Sequence, residues 1–252
     1  MRMQLATWPE VEDYLKESTG IILPIGSTEQ HGPNGFIGTD ALTSEMISFE
    51  VGDRVGAMVA PTINVGMAQH HLGFPGSMTL LPSTLIAVVR DMINSLARHG
   101  FERFYFINGH GGNVNTVNAA FSEVYAESSL RTAASNRPAL RCVMRNWYMG
   151  GKVGEISREE FGEDEGSHAT PSEVALTYFG FPEDGARVSQ APIDPPRAPK
   201  GVIYDADDYR RNFPDGRIGS NPGRATAEIG ERIFKAAVED LVDDYRDFVD
   251  KA

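Results

Sequence analysis

Cysteine is nearly absent from this 252-residue chain. Cys142 is the only one, so no internal disulfide can form and nothing calls for an oxidising compartment. It lies in the apolar run Leu140 to Met144, where a buried structural thiol is expected rather than a nucleophile. Basic residues are in short supply as well. Lysine and arginine number 23 against 35 acidic residues, and a net charge of −12 argues against binding to nucleic-acid phosphates. A small substrate held by a local pocket remains compatible with that charge. No apolar stretch approaches the ~20 residues of a membrane span, and the N-terminus lacks the basic-then-apolar pattern of a signal peptide. A soluble, cytoplasmic protein is the expectation. Internal repeats and low-complexity tracts are missing too, and no linker divides the chain, so residues 1–252 are read as one domain.

What is present is a core and an alternation. With 41% hydrophobic residues the chain can bury a substantial interior. Thr19 to Ile25, Ala57 to Ile63, Arg103 to Asn108 and Leu140 to Trp147 read as strands. Between them, helical spacing of apolar residues follows Thr39, which offers a cap. A second helix is expected from a Ser83 cap to a stop at Gly100, and a third over Val114 to Glu127. A last helix is expected over Ala225 to Tyr245, while 181–223 holds seven of the fifteen prolines and is expected to wander over the surface or into a neighbouring subunit. Strands alternating with helices of this length specify an α/β fold, a mostly parallel sheet flanked by helices.

Three segments carry chemistry. Glu29, His31 and Asp40 fall within twelve residues of a glycine-rich stretch that follows the first strand. Carboxylate and imidazole together suit Zn²⁺, Mn²⁺ or Fe²⁺. Asn108-Gly-His-Gly-Gly-Asn113 follows the strongest strand and opens a helix, with His110 at its centre. Both clusters lie at carboxyl ends of parallel strands, where ligands of such sheets bind. The third, Glu163 to Glu173, contains His168 and a helix start at Pro171. There Glu173 serves either the helix dipole or a site, and Glu163 and Asp164 read as a solvated acidic run.

These motifs resemble the creatininase (creatinine amidohydrolase-like) family of metal-dependent amidohydrolases. The matching pieces are Pro24-Ile-Gly-Ser-Thr-Glu-Gln-His-Gly-Pro33, Gly38-Thr-Asp40, Phe74-Pro-Gly-Ser77, the His110 loop, His168 to Glu173, and Gly219 to Thr226. The resemblance implies two divalent ions (Zn, Mn or Fe) per subunit in a homo-oligomer, a hexamer. Glu29 and His110 resemble ligands of one ion and His31 of the other, with Asp40 bridging both. In creatininase proper the remaining carboxylate is a Glu in the Gly-His-x-Glu-Asn loop, where this chain has Gly112, so the role is expected to shift to Glu173, as in family members carrying Gly-His-Gly-Gly-Asn. His168 resembles the catalytic histidine beside the leaving group, with Glu173 as an alternative proton carrier. Ser77, Gly111 and Gly112 resemble substrate contacts.

Two more residues are weighed as substrate contacts. One of His70 and His71, His71 by preference, is expected to touch substrate at the pocket mouth, and Trp147 is either an aromatic wall of the pocket or ordinary packing. His99, ending a helix before Gly100, reads as a dipole or capping residue. The chemistry that follows is hydrolysis of a C–N bond other than a peptide bond, in a small amide or cyclic amide, by hydroxide held between two ions. Creatinine itself fits poorly, because the family's tryptophan four residues before its catalytic histidine is Asp164 here. Alternatives within the family are a formamide hydrolase of flavin or deazaflavin precursor synthesis and a peptidase of mycofactocin maturation. A phosphoesterase would want Arg or Lys beside the metals, and none lies within the three segments that carry chemistry. From another class, a non-catalytic metal-dependent binding or assembly protein would keep the ligands.

Overall fold

The protein's structure is a computed structural model and describes residues 1–130 and 139–250. Thr7 and Glu10 close a capping box that starts helix α1 (Trp8–Leu15). Next come strand β1 (Gly20–Ile25), helix α2 (Thr39–Val55), strand β2 (Met58–Val59) and helix α3 (Pro82–His99). They are followed by β3 (Arg103–Asn108), α4 (Val114–Ser129), β4 (Arg141–Asn146) and α5 (Gly151–Glu160). Helices α6 (Pro171–Gly180), α7 (Pro182–Val188), α8 (Ala206–Asn212) and α9 (Ala227–Asp250) complete the chain. The sheet order is β2-β1-β3-β4, all parallel. Among the described residues no helix is long and apolar enough to cross a membrane.

Every residue of β1 is buried, because helices cover both faces of the sheet. Alternation then decides which face each side chain feeds. Ile22 joins Tyr105 and Ile107 of β3 against α2, α6 and α9, while Ile21, Leu23, Phe104 and Phe106 pack against α3 and α4. Pairing of β1 with β3 brings Ile25 level with Asn108, so the two strands end side by side. The segments that follow, one carrying Glu29 and His31 and the other His110, therefore start from adjacent points.

Several sequence expectations shift. The strand over Ala57 to Ile63 contracts to Met58–Val59, since Pro61 has no N–H to donate; Ala60 still bonds Ile22 O and Ile63 still bridges Ile25. Thr39 is not the cap of α2: Gly38 precedes the helix, and Thr39 Oγ1 donates to Phe36 O. Nor does Ser83 cap α3, which begins at Pro82, whose fixed φ suits the first helical position. Gly100 does end α3, in the left-handed conformation at φ 114°, with His99 in the last turn. The 181–223 stretch carries α7 and α8, and its fully buried Arg217 donates to Asp215 and to the carbonyls of Pro195 and Pro196. Cys142 is partly buried, which pushes its thiol up to about 12.

Candidate metal centre

Asp40 occupies the first turn of α2, where the helix dipole favours a carboxylate. Its backbone is gripped by the two strand ends. A Cβ on Gly26 would lie 2.4 Å from Ala41 N, and one on Gly109 would lie 2.2 Å from Asp40 O. Only glycine at both positions lets the helix start sit this close to β1 and β3, which explains the glycines flanking both motifs.

Around Asp40 the candidate ligands converge. His31 donates from Nδ1 to Glu29 O at 3.1 Å, leaving Nε2 directed at Asp40 Oδ1 (3.0 Å) and Glu173 Oε1 (3.8 Å). His110 donates from Nε2 to Met67 O at 2.8 Å, leaving Nδ1 3.0 Å from Asp40 Oδ2. Each carboxylate oxygen of Asp40 thus serves one histidine. Ligand atoms of Glu29, Asp40 and His110 form one group, and those of His31, Asp40 and Glu173 another, each drawn within 4.8 Å. A third such group, Glu29, His31 and His168, overlaps both.

A divalent ion fits these residues. Glu29 is fully buried, yet neither of its carboxylate oxygens has an aligned hydrogen bond among the described residues, and Asp40 Oδ2 has none either. Buried carboxylate oxygens without partners are costly unless a cation neutralises them. The histidine lone pairs facing Asp40 pose the same demand. Without an ion, protons meet it. Burial opposes charge on His31, but Asp40, Glu173 and Glu29 overcome it and raise its pKa to about 10. The same opposition, won by Glu29 and Asp40, puts His110 at about 9. Burial lifts Glu29 and Glu173 to about 7, while His31 and His110 hold Asp40 well below the usual carboxylate range in spite of its burial.

The centre opens into a cleft of about 560 Å³, lined by Glu29, Asp40, His110, Gly111, Gly112, Glu173 and His168, and also by His70, His71, Tyr148, Glu165 and Ile203. His168 donates from Nε2 to Gln30 O at 2.8 Å and turns Nδ1 toward Glu29 Oε1, 3.8 Å away. Burial drives its pKa far below the ordinary value. Glu173 Oε1 accepts from Thr170 N at 2.6 Å in a capping box and lies 3.8 Å from His31 Nε2.

Two expected substrate contacts lie elsewhere. Ser77 Oγ accepts from Gln30 N at 3.1 Å and Ser77 is not among the residues lining the cleft. Trp147 is 1% exposed and packs into the core; its neighbour Tyr148 lines the cleft instead. Asp164 is not simply solvated, since it pairs with Arg197 (2.7 Å) and Arg224 (3.2 Å), whereas Glu163 remains on the surface beside Arg197. Glu165, Tyr148 and Gln30 are additions that the sequence reading did not single out. Burial raises Glu165 to about 7, and its Oε2 is unpartnered while Oε1 accepts from Ser172 Oγ.

Gly112 has a tight steric role. A Cβ there would stand 2.4 Å from His110 Nε2 and 2.5 Å from Met67 O, on the hydrogen bond that orients His110. Gly112→Ala is therefore expected to turn the His110 ring and weaken zinc binding by about 10–100-fold, the usual cost of disturbing a ligand's support. Competition with a chromophoric chelator measures it; unchanged affinity would remove His110 from the ligand set.

The chain also matches known proteins in sequence and in fold. The family model described as Creatininase: Creatinine amidohydrolase matches residues 4–245. Creatinine amidohydrolase of Pseudomonas putida is 28% identical over 257 residues, covering 96% of this chain and 94% of that one. The 3-dehydro-scyllo-inosose hydrolase of Thermotoga maritima is 27% identical over 259 residues, covering 95% and 79%. A solved structure of a creatininase variant in its zinc–zinc form superposes with a TM-score of 0.82, at 25% identity and covering 98% of each chain. With the family model spanning nearly its whole length, this chain belongs to the creatininase family of hydrolases.

Proposed function

We propose that this protein is a two-metal amidohydrolase that cleaves a C–N bond in a small, uncharged or cationic amide. The observation that carries the reading is the pair of ligand groups joined through Asp40, with both Glu29 oxygens and Asp40 Oδ2 buried and without an aligned hydrogen bond among the described residues. Glu29, Asp40 and His110 would hold one ion, and His31, Asp40 and Glu173 the other. When bound, two divalent ions supply Lewis acidity and lower the pKa of a water toward ~7.

The chain's own side chains do the rest. His168 is neutral and offers Nδ1 to the cleft, so it can take a proton from the attacking water and return it to the departing nitrogen. In that sequence the water oxygen bonds the carbonyl carbon, the C–N bond breaks, and the nitrogen leaves as a protonated amine. Glu173 is tied by the Thr170 amide, which suits a fixed ligand better than a mobile proton carrier. Gly111, Gly112 and His71 line the cleft where the amide would rest. Among the described residues no lysine or arginine lines the cleft, which disfavours phosphate esters and dianionic substrates.

The relatives include a creatinine amidohydrolase and a hydrolase of an inosose, so the assay spans both chemistries. Zinc-loaded protein is to be assayed against creatinine, other cyclic amides, formamides, short peptides and a cyclic polyol ketone. Hydrolysis of a non-peptide amide, abolished by chelation and restored by zinc, is expected. Cleavage confined to peptides would favour a maturation peptidase, and cleavage confined to the ketone would refute amide chemistry. Full zinc occupancy with no turnover on any of them would favour a binding or assembly role.

A further inference from the structure

We infer that Gln30 is a positioning residue that sets the tautomers of both His71 and His168. The Gln30 side chain is buried, with Oε1 accepting from Gly32 N at 2.8 Å and Nε2 lying 2.9 Å from Gly216 O. Flipping the amide would set oxygen against a carbonyl and NH₂ against an N–H, so these two backbone groups fix its orientation.

Nε2 then has two hydrogens and several neighbours. It lies 2.9 Å from His71 Nδ1, 2.9 Å from His168 Nε2 and 3.4 Å from the Tyr209 hydroxyl. His168 Nε2 is also 2.8 Å from Gln30 O, and a carbonyl only accepts, so that nitrogen carries its own proton and cannot receive one from Gln30. Tyr209 spends its hydrogen on Gly216 O at 2.7 Å. One Gln30 hydrogen goes to Gly216 O; the other goes to His71 Nδ1.

Two consequences follow for the proposed reaction, on whose metal ligands this inference rests. His71 bears its proton on Nε2, the nitrogen 3.1 Å from Glu29 Oε1. A protonated nitrogen cannot ligate an ion, so His71 stays out of the ligand set despite its closeness and instead presents an N–H edge to Glu29. His168 bears its proton on Nε2 as well, which leaves Nδ1 bare toward the cleft. One residue thus assigns a donor and an acceptor, the first through its side chain and the second through its backbone carbonyl. Gly216 makes room for this: it sits at φ 86°, and a Cβ there would collide with Gln30 Oε1.

The test is spectroscopic. Ring ¹⁵N spectra of the zinc-loaded wild-type protein, with His71 and His168 assigned by single replacements, are expected to show both rings neutral and protonated at Nε2. A zinc-bound or unprotonated His71 Nε2 overturns the inference, and so does a proton on His168 Nδ1. In Gln30→Glu the carboxylate can only accept, so a proton should appear on His71 Nδ1, and zinc affinity should fall about tenfold. A His71 signal unchanged in Gln30→Glu would also sink the idea. Should the variant fail to fold, the wild-type spectrum alone decides. The outcomes separate cleanly from the proposed function: expected tautomers in a protein that hydrolyses no amide would leave the positioning role standing and remove the amidase reading.

Discussion

Asp40→Asn is expected to empty both metal positions together and to lower kcat/KM by about 10³-fold or more. The loss of several kcal/mol of Lewis-acid stabilisation, at ~1.4 kcal/mol per tenfold, sets that scale. The reason for so large an effect from an isosteric change is the division of labour within one carboxylate. Oδ1 lies 3.0 Å from His31 Nε2 and Oδ2 lies 3.0 Å from His110 Nδ1. An amide keeps one acceptor oxygen and turns an NH₂ toward the other position, so one ion loses its ligand outright and the other loses half of its neutralising charge. Glu173→Gln is the informative companion, because Glu173 belongs only to the group formed with His31 and Asp40. Elemental analysis of zinc-loaded proteins should show near-complete loss in Asp40→Asn and loss of about half in Glu173→Gln. Among the described residues the Asp40 carboxylate bonds His31 rather than the backbone of α2, so the metal-free variant should retain its circular dichroism. Full zinc occupancy in Asp40→Asn would show that Asp40 does not bridge.

What the sequence discloses of this arrangement depends on how local each cause is. β1 and β3 are legible because near-continuous apolar runs such as Gly20–Ile25 have no other use than a strand buried on both faces. Glu29, His31, Asp40 and His110 are legible for a related reason: their glycines mark close backbone approach, and residue type alone limits the chemistry. Helix α5 offers no such signal, since Val153 is its only buried residue and no apolar stripe develops. Helix α1 does carry one, the Thr7–Glu10 capping box, which the reading by apolar periodicity passes over. Ser77 and Trp147 illustrate a different limit. Motif and residue type suit both to a pocket, yet the Ser77 hydroxyl is taken by the Gln30 amide and the Trp147 ring by the core. Gln30 is invisible for the opposite reason. Its partners His71, His168 and Gly216 lie 41, 138 and 186 residues away along the chain, and no local pattern encodes a hub of that reach.

Zinc binding is expected to release about two protons per chain from the protein's own groups at pH 8, because ligation needs neutral imidazole and ionised carboxylate, and a water ionised between two ions would add about one more. In the metal-free protein His31 titrates near 10 and His110 near 9, so both are imidazolium at that pH. Toward pH 7 and below, Glu29 and Glu173, each raised to about 7, add further protons that an ion must displace. Apparent zinc affinity should therefore rise steeply from pH 6 to 9 and level off above about 10. Calorimetric titration in two buffers of different ionisation enthalpy counts the protons directly. The same shifts determine stability. All four groups have folded pKa values above their ordinary ones, so the stabilisation each gives the metal-free protein is complete below its unfolded value. It is lost as pH rises, through about 7 for the two glutamates and through about 9–10 for the two histidines. Asp40, whose pKa is lowered, acts in the other direction, but only below its ordinary value of 3.8. The metal-free protein should thus weaken between pH 6 and 10 while zinc binding strengthens, and the gap in Tm between the two forms should widen across that interval. Proton release near zero at pH 8, or a gap that narrows with pH, would mean that His31 and His110 are neutral before the ion arrives, and the charge pairing around Asp40 would have to be redrawn.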